Sequence, residues 1–163
     1  IHSVTEYFIP AETVEKHPNR ELYKKWVEQG YLRVINSPTI DYEFLANDIL
    51  EHPYVIKGLG YDPYKSRDFL KNFIGAGLED YLYPIKQTYG ESTSYVEAIE
   101  IAVFNEQMTF DPNPITSYCF DNAVIDEDRL ENRKPIKRIP TDKIDGAITN
   151  LMGFWMMHNV KNI

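Results

Sequence analysis

The sequence predicts an α/β protein in which a mixed sheet is flanked by helices. Short apolar segments with strand character alternate along the 163 residues with segments whose apolar side chains recur every three or four positions. Hydrophobic residues make up 43% of the chain and charged residues 26%, which is typical of a globular protein. Because no repeat, low-complexity segment or Gly/Ser linker divides the chain, we expect residues 1–163 to form one domain.

In the first half of the chain, strand and helix signals follow one another closely. Leu22 and Trp26 lie four positions apart on one face of an amphipathic segment that Gly30 ends. Asp62 and Pro63 are a favoured N-cap and a favoured first helical residue. The sequence therefore predicts strands over residues 2–10, 31–35 and 54–61, and helices over residues 20–30, 40–52 and 63–74.

The second half continues the alternation and ends in a long helix. Ser94 and Glu97 form a possible capping box for a helix that begins at Tyr95, and Pro84 favours an edge position for its strand. Residues 126–134 are polar and predict a hairpin or loop. The remaining predictions are strands over 80–86, 117–125 and 135–139, and a final helix from about Thr141 to Asn159.

Composition excludes several classes of protein. No apolar run approaches the roughly 20 residues of a membrane helix. The lone Cys119 excludes an internal disulfide and a cysteine-based zinc site, and is typical of a reducing compartment. The net charge of −8 means that any strong binding of nucleic acid must be local or assisted by metal ions or another domain. The first residues, IHSVTEYF, lack a starting methionine, so we expect the chain to be a piece of a longer protein.

Two aspartates are the candidate site residues that the pattern itself indicates. Asp62 ends a predicted strand, where open α/β folds place ligands, so it could cap a helix, hold a cation, or do both. On the final helix, Asp145 falls on the flank of the apolar face, whereas Asp142 points farther from it. A carboxylate beside buried surface needs a partner or an ion. Gly146 indicates that another group approaches this helix closely.

The other motifs give weaker evidence for a catalytic or binding site. The four histidines show no HExxH spacing, and the GLG and GAG segments are too short for a phosphate-binding loop. Ser92, Thr93 and Ser94 precede a predicted helix, which favours capping over nucleophilic catalysis. Basic residues cluster between Arg129 and Lys143, where a phosphate backbone could lie or where a solvated hairpin could balance nearby acids.

The ordered set of motifs resembles the nuclease domain of tailed-phage terminase large subunits. The resemblance covers almost the whole chain, through YLRVINSPTIDYEFLANDI, YDPY, the Gln87 region, YVEAIEIAVFNEQMTFDPNPI and DKIDGAITNLM. It implies a ribonuclease H-like mixed sheet flanked by helices, lacking the first strand or strands of that fold. It also implies that residues 1–163 are a partial nuclease domain whose upstream ATPase motor domain is absent.

The resemblance further implies a site and its partners. Asp62 and Asp145 match the family's catalytic, metal-binding acids, which use two Mg²⁺ or Mn²⁺ ions to cut concatemeric double-stranded DNA. Asp41 and Asp142 are weaker candidates. The implied partners are double-stranded DNA, the ATPase domain, the small terminase subunit and the portal, in the cytoplasm of an infected bacterium. The expected DNA contacts are Lys134, Lys137, Arg138 and Lys143.

Two departures from the family pattern limit these expectations. No residue matches the family's first catalytic Asp, because Glu6 fits a later strand and Asp41 fits a helix start. Phe110 also stands where related sequences often place a histidine before Asn113-Pro114. We therefore expect the isolated chain to bind metal poorly and to cleave little.

Two other functions remain open from the residues alone. In a non-catalytic docking module of a packaging or capsid assembly, the acids would be helix caps and metal would have no effect. A glycoside hydrolase with two carboxylates would suit the aromatic content of 13%, but nothing in the spacing favours it.

Overall fold

The computed structural model describes residues 1–160, which form seven α-helices and eight short strands. A single 3₁₀ turn spans Glu79–Tyr81. The helices are α1 (Ala11–Lys16), α2 (Arg20–Glu28), α3 (Tyr42–Glu51), α4 (Arg67–Gly75), α5 (Tyr89–Phe104), α6 (Pro114–Asp121) and α7 (Asp145–Asn159). The strands are β1 (His2–Ser3), β2 (Phe8–Pro10), β3 (Arg33–Ile35), β4 (Leu59–Tyr61), β5 (Leu82–Pro84), β6 (Thr109–Phe110), β7 (Ala123–Glu127) and β8 (Arg133–Lys137).

The strands pair two by two, and helices connect the parallel pairs. β1 with β6, β2 with β3, and β4 with β5 are parallel, whereas β7 and β8 form an antiparallel hairpin. Helices α1 and α2 lie between β2 and β3 in the chain, and α4 lies between β4 and β5. Parallel strands need such crossover connections, so the predicted α/β class is confirmed.

Helix α7 lies between two hydrophobic clusters. Its residues Leu151 and Phe154 pack with Ile85, Val96 and neighbouring side chains of the first cluster. Its Ala147 belongs to the second cluster, which includes Tyr23, Trp26 and Ile115. Because α7 contributes to both clusters, apolar side chains occur around much of its circumference. None of the helices within residues 1–160 is both long and apolar enough to cross a membrane.

The periodic segments of the first half are confirmed as α2 and α3, but the region around Asp62 differs from its prediction. Only Leu59–Tyr61 of the predicted strand 54–61 is a strand, and Tyr54 and Val55 are exposed. The predicted helix 63–74 begins only at Arg67. A turn intervenes, in which Lys65 has a positive φ of 58°. Asp62 is therefore not a helix cap, because its carboxylate accepts a hydrogen bond within this turn.

Three further predicted segments are also corrected. Much of 117–125, predicted as extended, belongs to α6, whose N-cap is Asn113 and whose first residue is Pro114. The final helix begins at Asp145 instead of Thr141. The predicted strand 2–10 is divided into β1 and β2. The strand within 80–86 and the polar hairpin are confirmed as β5 and as the connection between β7 and β8.

Helix α5 begins six residues before the predicted Tyr95, because Thr88 is its N-cap in place of Ser94. The Thr88 side chain accepts from the backbone N–H of Glu91 and also donates to the Glu91 carboxylate. Ser94 lies within the helix and donates to the Glu91 carbonyl oxygen. We expect Thr88→Ala to lower the free energy of unfolding by about 0.5–1 kcal/mol. Ser94→Ala should lower it less, which urea denaturation of both variants would measure.

Candidate active site

Asp62 directly follows β4, at the carboxyl end of a strand that is parallel to β5. Its Oδ1 accepts a hydrogen bond from the backbone N–H of Tyr64 at 2.9 Å. The side chain is exposed. The hydrogen bond in this turn holds Asp62 in place. Because a carboxylate has several lone pairs, Asp62 can still bind a cation or accept a hydrogen bond from a water molecule.

Asp145 is the first residue of α7, and it is more exposed than the sequence predicted. The expected close approach at Gly146 is present, because a Cβ there would overlap the hydroxyl group of Tyr7. Burial raises the pKa of the neighbouring Cys119 thiol, while the backbone N–H groups of Gly146 and Ala147 oppose that rise. These contacts of Gly146 and Ala147 fix the start of α7, so Asp145 projects from a well-packed helix end. An acid in this first turn is stabilised by the helix dipole.

Asp62 and Asp145 line the same open cleft, whose volume is about 1080 Å³. The fold therefore brings into one cavity two acids that are far apart in the sequence. Gln87 and Lys134 also line this cleft and add an amide and a positive charge to it.

Lys134 is held beside the ring of Tyr89, with its Nζ 5.5 Å from the ring centroid. The Tyr89 hydroxyl donates to Asp126 at 2.5 Å, which raises the pKa of Tyr89.

Glu6 lines the cleft as well, but it is engaged in a network of ion pairs. Arg33 donates to Glu6 at 3.1 Å and makes a two-pronged contact with Asp48. The hydrogen bond to Asp48 is the main cause that raises the pKa of Arg33. His52 also lies 3.3 Å from the Glu6 carboxylate. Glu6 is therefore less available to a ligand than Asp62 or Asp145.

The other predicted DNA contacts occupy different surroundings from Lys134. Lys143 borders a second, smaller cavity of about 250 Å³ together with His17 and Asp145. Burial lowers the pKa of His17, and the nearby charge of Lys143 lowers it further. Lys137 and Arg138 are exposed at the end of β8. The structure thus places Lys134 in the cleft of the two acids and Lys143 in a cavity with Asp145, whereas Lys137 and Arg138 lie on the exposed surface.

The two weaker acidic candidates have local structural roles. Asp41 is the N-cap of α3 and accepts from the backbone N–H of Phe44 at 2.9 Å. Asp142 accepts from the backbone N–H of Ile139 at 3.1 Å within the turn before α7. Neither residue is among those that line the cleft with Asp62 and Asp145.

The cleft offers carboxylate oxygens, which suit a hard divalent cation, but it offers few of them. Carboxylate oxygens are the ligands that Mg²⁺ and Mn²⁺ prefer, and Asp62 and Asp145 supply them. Within residues 1–160, no group of three or more His, Cys, Asp or Glu side chains is placed to hold a metal ion. Asp62 and Asp145 thus have the chemistry of cation ligands, and a cation held by either would take its remaining ligands from water, substrate or further residues.

Gln87 and Glu6 are cleft residues to which the sequence assigned no role. The parallel pairing of β4 with β5 brings the segment after β5 close to the segment after β4. Gln87 follows β5 as Asp62 follows β4, so strand order was the signal that could have identified Gln87. Glu6 had no comparable signal, because its surroundings are made by contacts with Arg33 and His52, which lie on other parts of the chain.

Comparison with known proteins finds similarity to terminase large subunits over most of the chain. The family model described as "Terminase large subunit, endonuclease domain" matches residues 2–160. The large terminase subunit of Enterobacteria phage HK97 is 27% identical over 150 residues, which cover 90% of this chain and 30% of that protein. Protein YmfN of Escherichia coli strain K12 is 26% identical over 159 residues, which cover 90% of this chain and 34% of YmfN.

The structural comparison leads to the same family. The crystal structure of the HK97 bacteriophage large terminase aligns with a TM-score of 0.77 and 25% sequence identity. The alignment covers 90% of this chain and 32% of the HK97 chain. The chain thus spans about a third of the length of the proteins that it matches. It belongs to the family of terminase large subunit endonuclease domains, and its fold is the ribonuclease H-like α/β fold of that family.

Proposed function

We propose that this chain is the nuclease part of a viral DNA-packaging terminase and cuts concatemeric double-stranded DNA in a metal-dependent reaction. One observation carries the proposal: Asp62 and Asp145 line one cleft in a chain that matches the endonuclease family over residues 2–160. A non-catalytic docking module would not require two acids from separate elements to line one cavity.

In this proposal, Asp62 and Asp145 are the catalytic acids and hold the divalent cations, Mg²⁺ or Mn²⁺. Two such ions, when bound, activate water and stabilise the leaving oxygen of a phosphodiester. The turn after β4 orients Asp62, and the packed start of α7 orients Asp145. The protein thereby contributes placement and preorganised charge, which are the main sources of catalysis when no covalent intermediate with the protein is formed.

The DNA backbone is proposed to lie along the basic residues next to these acids. Lys134 lines the cleft, Lys143 lies on the other side of Asp145, and Lys137 and Arg138 extend the basic surface. Because the chain has a net charge of −8, phosphate contacts are confined to this local surface. The ATPase domain of the same protein, the small terminase subunit and the portal are the proposed partners, and the host cytoplasm is the proposed location.

The proposal is tested by comparing this chain with a longer terminase protein that contains it, because the chain spans only about a third of the length of the proteins that it matches. Nicking of supercoiled plasmid would be followed in Mn²⁺ and in Mg²⁺, with EDTA as the metal-free control. We expect the longer protein to nick the plasmid and the 163-residue chain to do so weakly or not at all, because its cleft offers few ligands.

Three results would count against this proposal. Equal nicking by both proteins would show that residues outside this chain are not needed for activity. Unchanged DNA nicking by the longer protein in EDTA would contradict metal dependence, and no nicking under any condition would favour a docking module.

A further inference from the structure

Asp145 lines a second cavity as well as the cleft, and the volume of this second cavity is about 250 Å³. Side chains of α1, α2, α6 and the segment 7–9 surround it. Asp145 is exposed and Lys143 is half-buried, so both lie where the cavity opens to solvent. The cavity is therefore accessible to a ligand that reaches it past Asp145.

Aromatic side chains form one continuous wall of this cavity. The ring of His17 stacks on Tyr23, with centroids 4.6 Å apart and planes 26° apart. Tyr23 in turn stacks on Trp26 at 5.7 Å, and Tyr118 meets the Trp26 ring edge-on at 5.2 Å. Flat aromatic faces of this kind bind another planar ring by stacking. We refer to the space beside these four residues as the aromatic cavity.

Tyr23 gives the aromatic cavity a buried polar group that has no partner. The side chain is only 5% exposed, and its hydroxyl makes no hydrogen bond within residues 1–160. Burial is the main cause that raises the pKa of Tyr23 to about 12, and the nearby Tyr118, Asp145 and Cys119 also raise it. All three of these neighbours line the aromatic cavity, so the Tyr23 hydroxyl faces into it as a protonated donor. A buried donor without an acceptor is unfavourable, and a ligand with an acceptor atom would satisfy it.

We propose that the aromatic cavity binds one nucleobase, supplied either by a DNA strand at Asp145 or by a free nucleotide. The proposal rests on the nuclease function proposed above and adds a base-binding site next to one of its catalytic acids. A nucleobase is flat, and its ring nitrogens and carbonyl oxygens accept hydrogen bonds from groups such as the Tyr23 hydroxyl. Lys143, at the opening, is placed to contact the phosphate of the same nucleotide.

The size and chemistry of the aromatic cavity disfavour other occupants. Its volume is below the roughly 300–1,000 Å³ of pockets for drug-sized ligands, so a single small ring system is the appropriate size. An aliphatic ligand would leave the Tyr23 hydroxyl buried without a partner. A DNA duplex cannot enter, so a base from DNA must come from a single strand or leave the base stack. A base held in this cavity would fix the position of its strand beside Asp145.

The fluorescence of Trp26 tests the proposal directly. The chain has two tryptophans, and Trp155 belongs to the other hydrophobic cluster, so Trp155→Phe leaves Trp26 as the only reporter. The 163-residue chain would be titrated in EDTA with deoxynucleoside monophosphates, with a single-stranded oligonucleotide, and with an abasic strand of the same length. We expect saturable quenching by the first two ligands and none by the abasic strand.

The same titrations distinguish the two sources of the base. Quenching by the oligonucleotide that a monophosphate reverses by competition would identify a DNA base as the occupant. Quenching by free monophosphates alone would identify a mononucleotide site. Absence of quenching by either ligand would overturn the proposal. Equal quenching by the abasic strand would also overturn it, because phosphate contacts would then explain the signal.

Two matched tyrosine variants test the role of the Tyr23 hydroxyl without removing a ring. Tyr23→Phe deletes the unpartnered hydroxyl, whereas Tyr95→Phe deletes the hydroxyl of a tyrosine that is 3% exposed in the other hydrophobic cluster. Isothermal titration calorimetry with a monophosphate, on chains that retain both tryptophans, would give the dissociation constants. We expect Tyr23→Phe to weaken binding by about three- to tenfold and Tyr95→Phe to leave it unchanged. Equal weakening in both variants, or in neither, would contradict the proposed site.

Failure of this proposal is distinguishable from failure of the nuclease proposal, because binding is measured in EDTA and requires no cleavage. Plasmid nicking by a protein whose aromatic cavity binds no base would overturn only the base-binding site. Base binding by a protein that never nicks DNA would overturn only the nuclease proposal.

Discussion

Replacing Asp145 by asparagine should lower metal-dependent DNA cleavage by the longer protein by roughly 10²–10³-fold or more. The substitution keeps the size of the side chain but removes the charge that would bind a divalent cation in the cleft shared with Asp62. Because the Asp145 side chain is exposed and Gly146 and Ala147 make the packing contacts of this helix end, the fold should persist. Initial rates of plasmid nicking across a Mn²⁺ titration would measure the effect.

Asp142→Asn is the matched control for this prediction. It removes the same charge three positions earlier, at a residue that accepts a hydrogen bond from Ile139 and does not line the cleft. We expect it to nick DNA within a few-fold of the unaltered protein, whereas Asp62→Asn should resemble Asp145→Asn. Retained cleavage in Asp145→Asn, with an unchanged circular dichroism spectrum, would refute its assignment as a catalytic acid. Equal losses in Asp142→Asn and Asp145→Asn would point to general electrostatics instead.

The amino-acid pattern predicted the helices better than the boundaries around the candidate site. Helices α2 and α3 carry regular apolar spacing, and both lie where that spacing placed them. At Asp62, the Asp-Pro pair is favourable for a helix start and equally for a turn, and the turn formed. The sequence could not decide between them, because the choice depends on the positive φ of Lys65 and on contacts made by later elements.

Long-range packing explains the remaining differences at the site. Helical periodicity placed Asp145 against buried surface, but the helix begins at Asp145 itself, where the side chain can turn toward solvent. Glu6 lies in the cleft beside Arg33, which also binds Asp48, and local pattern does not predict these contacts between separate elements. In contrast, Gly146 correctly predicted a close contact at this helix. Its partner, Tyr7, is far away in the sequence, so the local pattern could not identify it.

The same contact leads to the largest expected effect on stability. Gly146→Ala should lower the free energy of unfolding by about 1–3 kcal/mol, because the added methyl group would overlap the Tyr7 side chain. Tyr7 cannot move away freely: it is half-buried, and its hydroxyl lies 2.9 Å from Thr116 Oγ1. The gain in helix propensity from alanine is smaller than this penalty near a helix end. Urea denaturation of the 163-residue chain would measure the change.

Gly153→Ala in the same helix provides the matched control. Nothing lies within 4 Å of a Cβ built at Gly153, so this variant should gain up to about 1 kcal/mol from helix propensity. Removing the Tyr7 hydroxyl in Tyr7→Phe should relieve part of the overlap, so the double variant with Gly146→Ala should lose less than the sum of the single changes. If Gly146→Ala and Gly153→Ala stabilised the chain equally, Tyr7 would not be packed against α7, and the orientation of Asp145 would need another explanation.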